Sequence, residues 1–286
     1  MKHYYQPTTL PECLQMLQDN RLTIIAGCTD IFPFLATQRA WGRATTDDWL
    51  DVSALGELGG IRDAGDHYRI GSLVTWSELL RNPLPPVFAG LKAAAGEIGG
   101  VQIQNRGTLA GNVCNASPAA DGAPNLLCMG AKVELQSTRG KRDLPLDQFL
   151  LGNRKTALHE NELVTALLVP KPENTARGHF FKLGARRYLV ISIVMVAAVV
   201  ATDSTGAITD IRIAVGACSE VAQRLTSLEQ KLHGRLLRSL SSLADLDPRY
   251  FSTLSPIDDV RADHSYRKQA AREATQRLLT IMADHP

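Results

Sequence analysis

The stretch Gln102-Ile103-Gln104-Asn105-Arg106-Gly107-Thr108-Leu109-Ala110-Gly111-Asn112-Val113-Cys114-Asn115-Ala116-Ser117-Pro118-Ala119-Ala120-Asp121 holds one basic residue, Arg106, and one acidic residue, Asp121. A loop this long inside a globular domain usually serves a ligand. Gly107 and Gly111 let backbone approach a bound molecule closely. Thr108, Asn112, Ser117 and Asp121 add hydroxyl, amide and carboxylate groups suited to a sugar or polyol chain. The competing reading is a solvated loop whose Asn and Gly residues merely satisfy turns, and the near absence of charge argues against it.

Upstream, Leu22-Thr23-Ile24-Ile25-Ala26 is a β-branched run that meets Gly27, after which Thr29 or Asp30 can cap a helix running through Phe34 and Leu35 to Arg39. A strand ending in glycine and feeding a helix N-terminus aims several backbone N–H groups one way, where the helix dipole favours an anion such as a phosphate. The spacing is neither a Walker A loop nor the Gly-x-Gly-x-x-Gly of a dinucleotide turn. Alone, Ala26-Gly27-Cys28-Thr29-Asp30 fits an ordinary capped strand–helix turn better than an anion site.

The rest of the chain reads as a mixture of helices and strands. Leu10, Leu14 and Leu17 recur at helical spacing behind Thr8 and Thr9, and Trp49-Leu50-Asp51-Val52 is a strand candidate before a break at Gly56–Gly60. Tyr68-Arg69-Ile70-Gly71 is another strand; Thr75 can cap a helix through Leu80, and Phe88 to Ile98 makes a second, alanine-rich one. The strand Ala131 to Gln136 alternates apolar and polar residues. Pro170-Lys171-Pro172-Glu173-Asn174 is the clearest linker, and the main boundary belongs there. Beyond it, Ile191 to Val200 and Ile208 to Val215 form a hairpin around Asp203-Ser204-Thr205-Gly206. A helix follows through Leu225, Leu228 and Leu232, with Gly234 beyond its end, and a final helix covers Tyr266 to Met282. No internal repeat is present.

Composition narrows the function classes. The 286 residues are 44% hydrophobic and carry 31 basic against 29 acidic side chains, a net charge of +2. At roughly 100–200 residues per domain this length predicts two domains, or one with a large appendage. A nearly neutral chain with scattered basic residues offers no electrostatic case for nucleic acid or an anionic membrane. Cys13, Cys28, Cys114, Cys128 and Cys218 are odd in number and form no C-x-x-C pair, so neither a disulfide framework nor a local zinc or iron–sulfur motif is expected. The longest apolar run, Leu189 to Ala201, is too short to span a bilayer at about 20 residues. No signal-peptide core follows Met1, and a cytoplasmic protein is the expectation.

Ala-Gly-Cys-Thr-Asp at 26–30 together with Gln102 to Asp121 resembles the FAD-binding medium subunit of the xanthine dehydrogenase and carbon monoxide dehydrogenase family of molybdenum hydroxylases. The likeness extends through Gly152-Asn153-Arg154-Lys155-Thr156, Glu162-Leu163-Val164, Phe181-Lys182-Leu183-Gly184-Ala185-Arg186-Arg187, Val215-Gly216-Ala217 with Arg224, and Ser265-Tyr266-Arg267. It covers nearly the whole chain.

The resemblance implies an α+β protein: a two-subdomain FAD-binding region of the vanillyl-alcohol-oxidase type over 1–57 and 58–172, then a smaller α/β C-terminal domain over 175–286. FAD would lie extended between the two subdomains. Ile25, Ala26, Gly27, Cys28, Thr29, Asp30 and Ile31 would wrap its pyrophosphate and neighbouring groups. Thr108, Gly111, Asn112 and Cys114 would form a second wall, and Asp121 would hold cofactor hydroxyls. Ile98, Ile103 and Val164 would supply apolar contacts. Lys182 would sit near the isoalloxazine, unless it is simply a surface lysine on a strand.

No catalytic side chain and no metal ligand is implied for this chain. Molybdenum–pterin and [2Fe–2S] clusters would reside on a large and a small partner subunit, in a dimer of heterotrimers. The FAD would pass electrons from those clusters to NAD or another acceptor. Two positions depart from the family pattern: Cys28 stands where a second glycine is usual, and Ala110 where the first glycine of a Gly-Gly-Asn is usual. Both are small, so close approach survives provided neither position needs φ > 0. They leave room for a flavin-free assembly subunit of the same complex. A stand-alone FAD oxidoreductase is a third reading, weakened by the lack of a recognisable substrate domain.

Overall fold

The computed structural model describes residues 3–43, 48–172, 176–243 and 245–284. Three parallel strands open the chain: β1 (Tyr4–Tyr5), β2 (Thr23–Ile25) and β3 (Trp49–Asp51), with β3 in the middle. The helix α1 (Leu10–Asp19) starts at Thr9 and buries Leu10, Cys13, Leu14 and Leu17, the stripe its spacing predicts. With Leu50, Val52, Leu55 and Leu58 this stripe forms a small core of its own, closed from the side by Leu163. The helix α2 (Ile31–Ala40) follows β2 as expected, but none of its residues is buried.

The second unit is an antiparallel sheet in the order β4 (Ile61–Asp63), β5 (His67–Gly71), β10 (Leu163–Pro170), β6 (Lys132–Ser137), β7 (Gly140–Pro145). A short ribbon, β8 (Leu150–Gly152) with β9 (Lys155–Thr156), precedes β10. Helices α3 (Trp76–Arg81) and α4 (Ala89–Glu97) pack on this unit. Thr75 caps α3 in a full capping box with Glu78, whose side chain accepts from the Thr75 N–H at 2.7 Å.

The nearly uncharged stretch after Gly100 is not the open loop that its composition suggests. It winds into α5 (Val101–Gln104), α6 (Leu109–Cys114) and, past Asp121, α7 (Gly122–Cys128), with α8 (Leu146–Phe149) later in the chain. Thr108 starts α6, its hydroxyl accepting the Gly111 N–H at 2.9 Å. Leu109, Ala110 and Val113 then point into the core.

Of the proline-rich linker, Glu173 and Asn174 lie outside the described residues. Past it, β11 (Arg177–Leu183), β12 (Val194–Thr202), β13 (Ile208–Gly216) and β14 (Gln223–Arg224) form an antiparallel sheet in sequence order. The helices α9 (Thr226–Leu232) and α10 (His264–Asp284) complete the chain. Strand β12 reads as one unbroken apolar run because both its faces are covered. Val194, Val196, Ala198 and Val200 join α9 and α10 in one core, while Ala197, Val199 and Ala201 join the core of the preceding sheet. At Gly178 on β11 an added Cβ would lie 2.2 Å from the Val87 carbonyl oxygen, so the two units touch through backbone.

Candidate functional site

The first loop gets its shape from two contacts. The Val52 N–H donates to the Ile25 carbonyl at 3.0 Å, which fixes where β2 stops. A Cβ on Gly27 would lie 2.0 Å from the Arg106 carbonyl oxygen, so this position presses on the second loop and admits only glycine. Gly107 faces back the other way, its absent Cβ 3.3 Å from the Thr29 hydroxyl. The second loop is pinned in turn: the Trp76 N–H donates to Gly107 and the Leu109 N–H to Val74, at 3.1 and 3.0 Å.

Between the loops runs a cleft of about 510 Å³, the size of a cofactor site. Its wall contains Ala26, Gly27, Cys28, Thr29, Asp30 and Ile31 from the first loop, Ile98, Ile103, Thr108, Gly111, Asn112 and Cys114 from the second region, and Val164 from β10. The backbone N–H groups of Gly27, Cys28, Thr29, Asp30 and Ile31 donate to no protein acceptor among the described residues. They are free for an anionic ligand at the start of α2.

Three expected residues are not in the wall. Ile25 is a buried strand residue behind it. Asp121 and Lys182 face each other instead of the cleft: the lysine Nζ lies 2.9 Å from the carboxylate, whose other oxygen accepts the Ser192 hydroxyl at 2.7 Å. Lys182 is therefore no surface lysine, its side chain being 4% exposed. Burial pushes the Asp121 carboxyl up, against the pull of Lys182 and Ser192. Glu97, next to Ile98, is also raised by burial.

Other parts of the wall escape any reading of local pattern. Leu22, Ile24, Val52, Leu73, Leu158 and Leu163 give it an apolar floor, and Thr156, His159 and Glu160 close one end. Ser72 belongs to the wall as well, and its hydroxyl is buried with no hydrogen-bond partner. Trp76, Gly107, Ala110 and Asn115 complete the lining. The apolar members look like core residues in sequence; the fold brings Leu22 and Ile24 from β2 and its approach, Val52 from the end of β3, Leu73 from the end of β5 and Leu163 from β10 to the same cleft.

Cys28 does not meet the condition under which its substitution for glycine costs nothing. Its φ is 60°, in the left-handed region. Ala110, by contrast, keeps negative φ inside α6 and is buried. The Cys28 thiol contacts the Ala26 carbonyl at 3.4 Å. Burial and then the charge of Asp51 push its pKa up, with Arg106 pulling the other way. A raised pKa leaves little thiolate and argues against a redox role.

Asp51 sits below the first loop. Burial alone would raise its carboxyl, but hydrogen bonds from Tyr4, Ser53 and Gln6 outweigh it and hold it below the usual carboxylate range. The same contact pushes the Tyr4 hydroxyl up to about 12. At the cleft mouth, the Asn115 Nδ2 donates to Asp30 Oδ1 at 2.9 Å, and Arg154 Nη1 donates to Asn115 Oδ1.

Residues 1–172 match a family described as the FAD binding domain in molybdopterin dehydrogenase, and residues 179–282 match the CO dehydrogenase flavoprotein C-terminal domain. The chain belongs to this flavoprotein family. It is similar to the putative xanthine dehydrogenase FAD-binding subunit XdhB of Escherichia coli strain K12, at 30% identity over 97% of this chain and 94% of that one. It is equally similar to the nicotine 6-hydroxylase medium subunit of Paenarthrobacter nicotinovorans, at 30% identity over 96% and 95%. Its fold matches a chain of carbon monoxide dehydrogenase from Hydrogenophaga pseudoflava with a TM-score of 0.86, at 24% identity over 98% of this chain and 96% of that one. A chain of quinoline 2-oxidoreductase from Pseudomonas putida 86 matches with 0.87, at 24% identity over 99% and 97%.

Membership makes the chain an FAD-binding oxidoreductase subunit of α+β fold. The residues present suit that cofactor: unpaired N–H groups for a pyrophosphate, an apolar floor for ring systems, and hydroxyl and amide groups along the second wall. Among the described residues no helix is long and apolar enough to cross a membrane.

Proposed function

We propose that this FAD-binding medium subunit is the electron exit of a molybdenum hydroxylase, drawing electrons from [2Fe–2S] clusters on a small partner and delivering them to NAD or another acceptor. The organic substrate would be oxidised at molybdenum–pterin on a large partner, in a dimer of heterotrimers located in the cytoplasm. The observation that carries the reading is the row of unpaired N–H groups from Gly27 to Ile31, residues that line a cleft whose wall also contains Thr108, Gly111, Asn112 and Cys114. Bound FAD supplies a carrier that accepts electrons one at a time and releases them as a pair.

In this reading the protein's own groups bind and orient. Gly27 to Ile31 hold the pyrophosphate through backbone; Thr108, Gly111, Asn112 and Cys114 shape the second wall; Ile98, Ile103 and Val164 exclude water from the ring systems. Asp121 and Lys182 act from behind the wall, the ion pair fixing β11 against the start of α7. None of these side chains has to serve as acid, base or nucleophile.

Purified full-length chain should be yellow, with a flavin spectrum that reductant bleaches. A colourless chain that takes up no FAD on titration overturns the reading. The acceptor is tested in the assembled complex, by following NAD reduction after substrate is added; reduction of a quinone or oxygen alone would replace NAD.

A further inference from the structure

The carboxylate of Asp30 poses a problem for the cleft. It stands at the start of α2, beside N–H groups that would receive an anion, and a negative side chain there competes with that anion for the same donors and the same helix dipole. An aspartate in this place ordinarily turns back to cap its helix, yet Asp30 makes no such bond. Two features of the helix work against it. Pro33, at the third helical position, has no N–H, and the Phe32 N–H is already bonded to the Cys28 carbonyl at 3.1 Å.

Asp30 is held instead by a two-step relay from outside. Asn115 donates to Asp30 Oδ1 at 2.9 Å and accepts from Arg154. A guanidinium can only donate, so Arg154 fixes the amide with its oxygen outward and its NH2 toward Asp30. Arg154 is itself fixed: its N–H donates to the Ala116 carbonyl at 2.9 Å, and both residues hold left-handed backbone, at φ 58° and 45°. Backbone strain of this kind persists only where the surroundings over-determine it. Asn115 and Asp30 line the cleft, whereas Arg154 does not.

Given that the cleft holds FAD, we infer that Arg154 is a positioning residue acting through Asn115, and that the pair holds the Asp30 carboxylate away from the pyrophosphate that the neighbouring backbone N–H groups receive. Without the relay, the Asp30 carboxylate is free to turn into the cleft, where its negative charge repels the pyrophosphate. The relay also ties three chain segments at the mouth of the cleft, so the first loop is presented in its open form before the cofactor arrives.

The test is FAD titration of the full chain freed of flavin, followed by flavin fluorescence, for the wild type and for Asn115→Ala, Arg154→Ala, Asp30→Ala and Asn115→Ala with Asp30→Ala. Melting temperatures of the flavin-free chains are read alongside. Asn115→Ala and Arg154→Ala should each weaken FAD binding about tenfold, the scale of one charge-assisted hydrogen bond, with no fall in melting temperature. The double variant should return to within about twofold of Asp30→Ala, because removing the carboxylate removes the competitor. Four results overturn the inference: unchanged affinity in Asn115→Ala, full affinity in Arg154→Ala, a double variant as weak as Asn115→Ala, or weakened binding accompanied by a lower melting temperature. Wild-type chain that binds no FAD overturns the proposed function itself, and that result is separate from these.

Discussion

Replacing Cys28 by glycine should make the chain more stable, which is the reverse of what deleting a side chain from a folded protein usually does. The residue sits at φ 60°. Left-handed backbone costs a residue with a Cβ about 1–2 kcal/mol, and glycine is spared that cost. Glycine in turn loses more freedom on folding, by about 0.5–1 kcal/mol. The thiol contributes one weak contact, to the Ala26 carbonyl at 3.4 Å, and is partly exposed, so little buried area is lost with it. The balance is a gain of about 0.5–1 kcal/mol, or about 1–4 °C in melting temperature. Urea and thermal unfolding of the flavin-free chain measure it. Cys28→Ala is the control, since it removes the thiol and keeps the strain; it should gain nothing. A Cys28→Gly chain less stable than wild type, or an equal gain in Cys28→Ala, refutes the assignment of strain to this position. FAD affinity should rise modestly at the same time. A rise far beyond tenfold would favour the reading in which the loop has drifted away from flavin binding.

Other expectations follow from the same geometry. Gly27→Ala drives a Cβ to 2.0 Å from the Arg106 carbonyl; the loops must part, at about 1–3 kcal/mol, and the purified chain should carry little flavin, as its absorbance ratio would show. Glu162 receives both Nε and Nη2 of Arg142, at 2.7 and 2.8 Å, and those bonds, opposed by burial, hold its carboxyl below the usual carboxylate range. A depressed folded pKa means stability that is fully present above about pH 4.5 and lost as pH falls through the lower folded value. Glu162→Gln should therefore cost about 1–2 kcal/mol at pH 7 and flatten the acid limb of a urea-unfolding series; an unchanged acid limb would contradict this. Arg267 is 1% exposed and bonds the Ile193 and Ala217 carbonyls and Asp259. Arg267→Ala strands those groups and should cost about 3–5 kcal/mol, measured as a lower urea midpoint.

Local pattern in the sequence carried a good part of this arrangement. The β-branched run at 22–26 broken by Gly27, the stripe of Leu10, Leu14 and Leu17, the Thr75 cap and the hairpin around Asp203 are short-range signals, and each element appears where its signal lies. What stayed hidden depends on distant partners. The positive φ of Cys28 follows from the path of the loop over Arg106, which no neighbour of Cys28 in sequence specifies. Leu109–Cys114 forms a helical turn because Thr108 caps it and the core receives Leu109 and Val113. Asp121 finds Lys182 across 61 residues and Asp30 finds Asn115 across 85. The floor residues Leu22, Ile24 and Leu163 are indistinguishable from core by period, since a cofactor wall and a core demand the same side chains.

Strand β12 of the C-terminal sheet, covered on both faces, bears on how the protein can be divided. Ala197, Val199, Ala201 and Ala214 belong to the core shared with β5, β6 and β10. Cutting the chain at the proline-rich segment would bare a flat apolar strand surface on one fragment and unroof α4 and α7 on the other. Fragments expressed separately should aggregate, and co-expressed halves should find each other. The place where the sequence looks most separable is therefore a poor place to cut, and a genetic fusion of a partner would be better tolerated at the exposed turn residues Ser204 and Thr205 than at that segment.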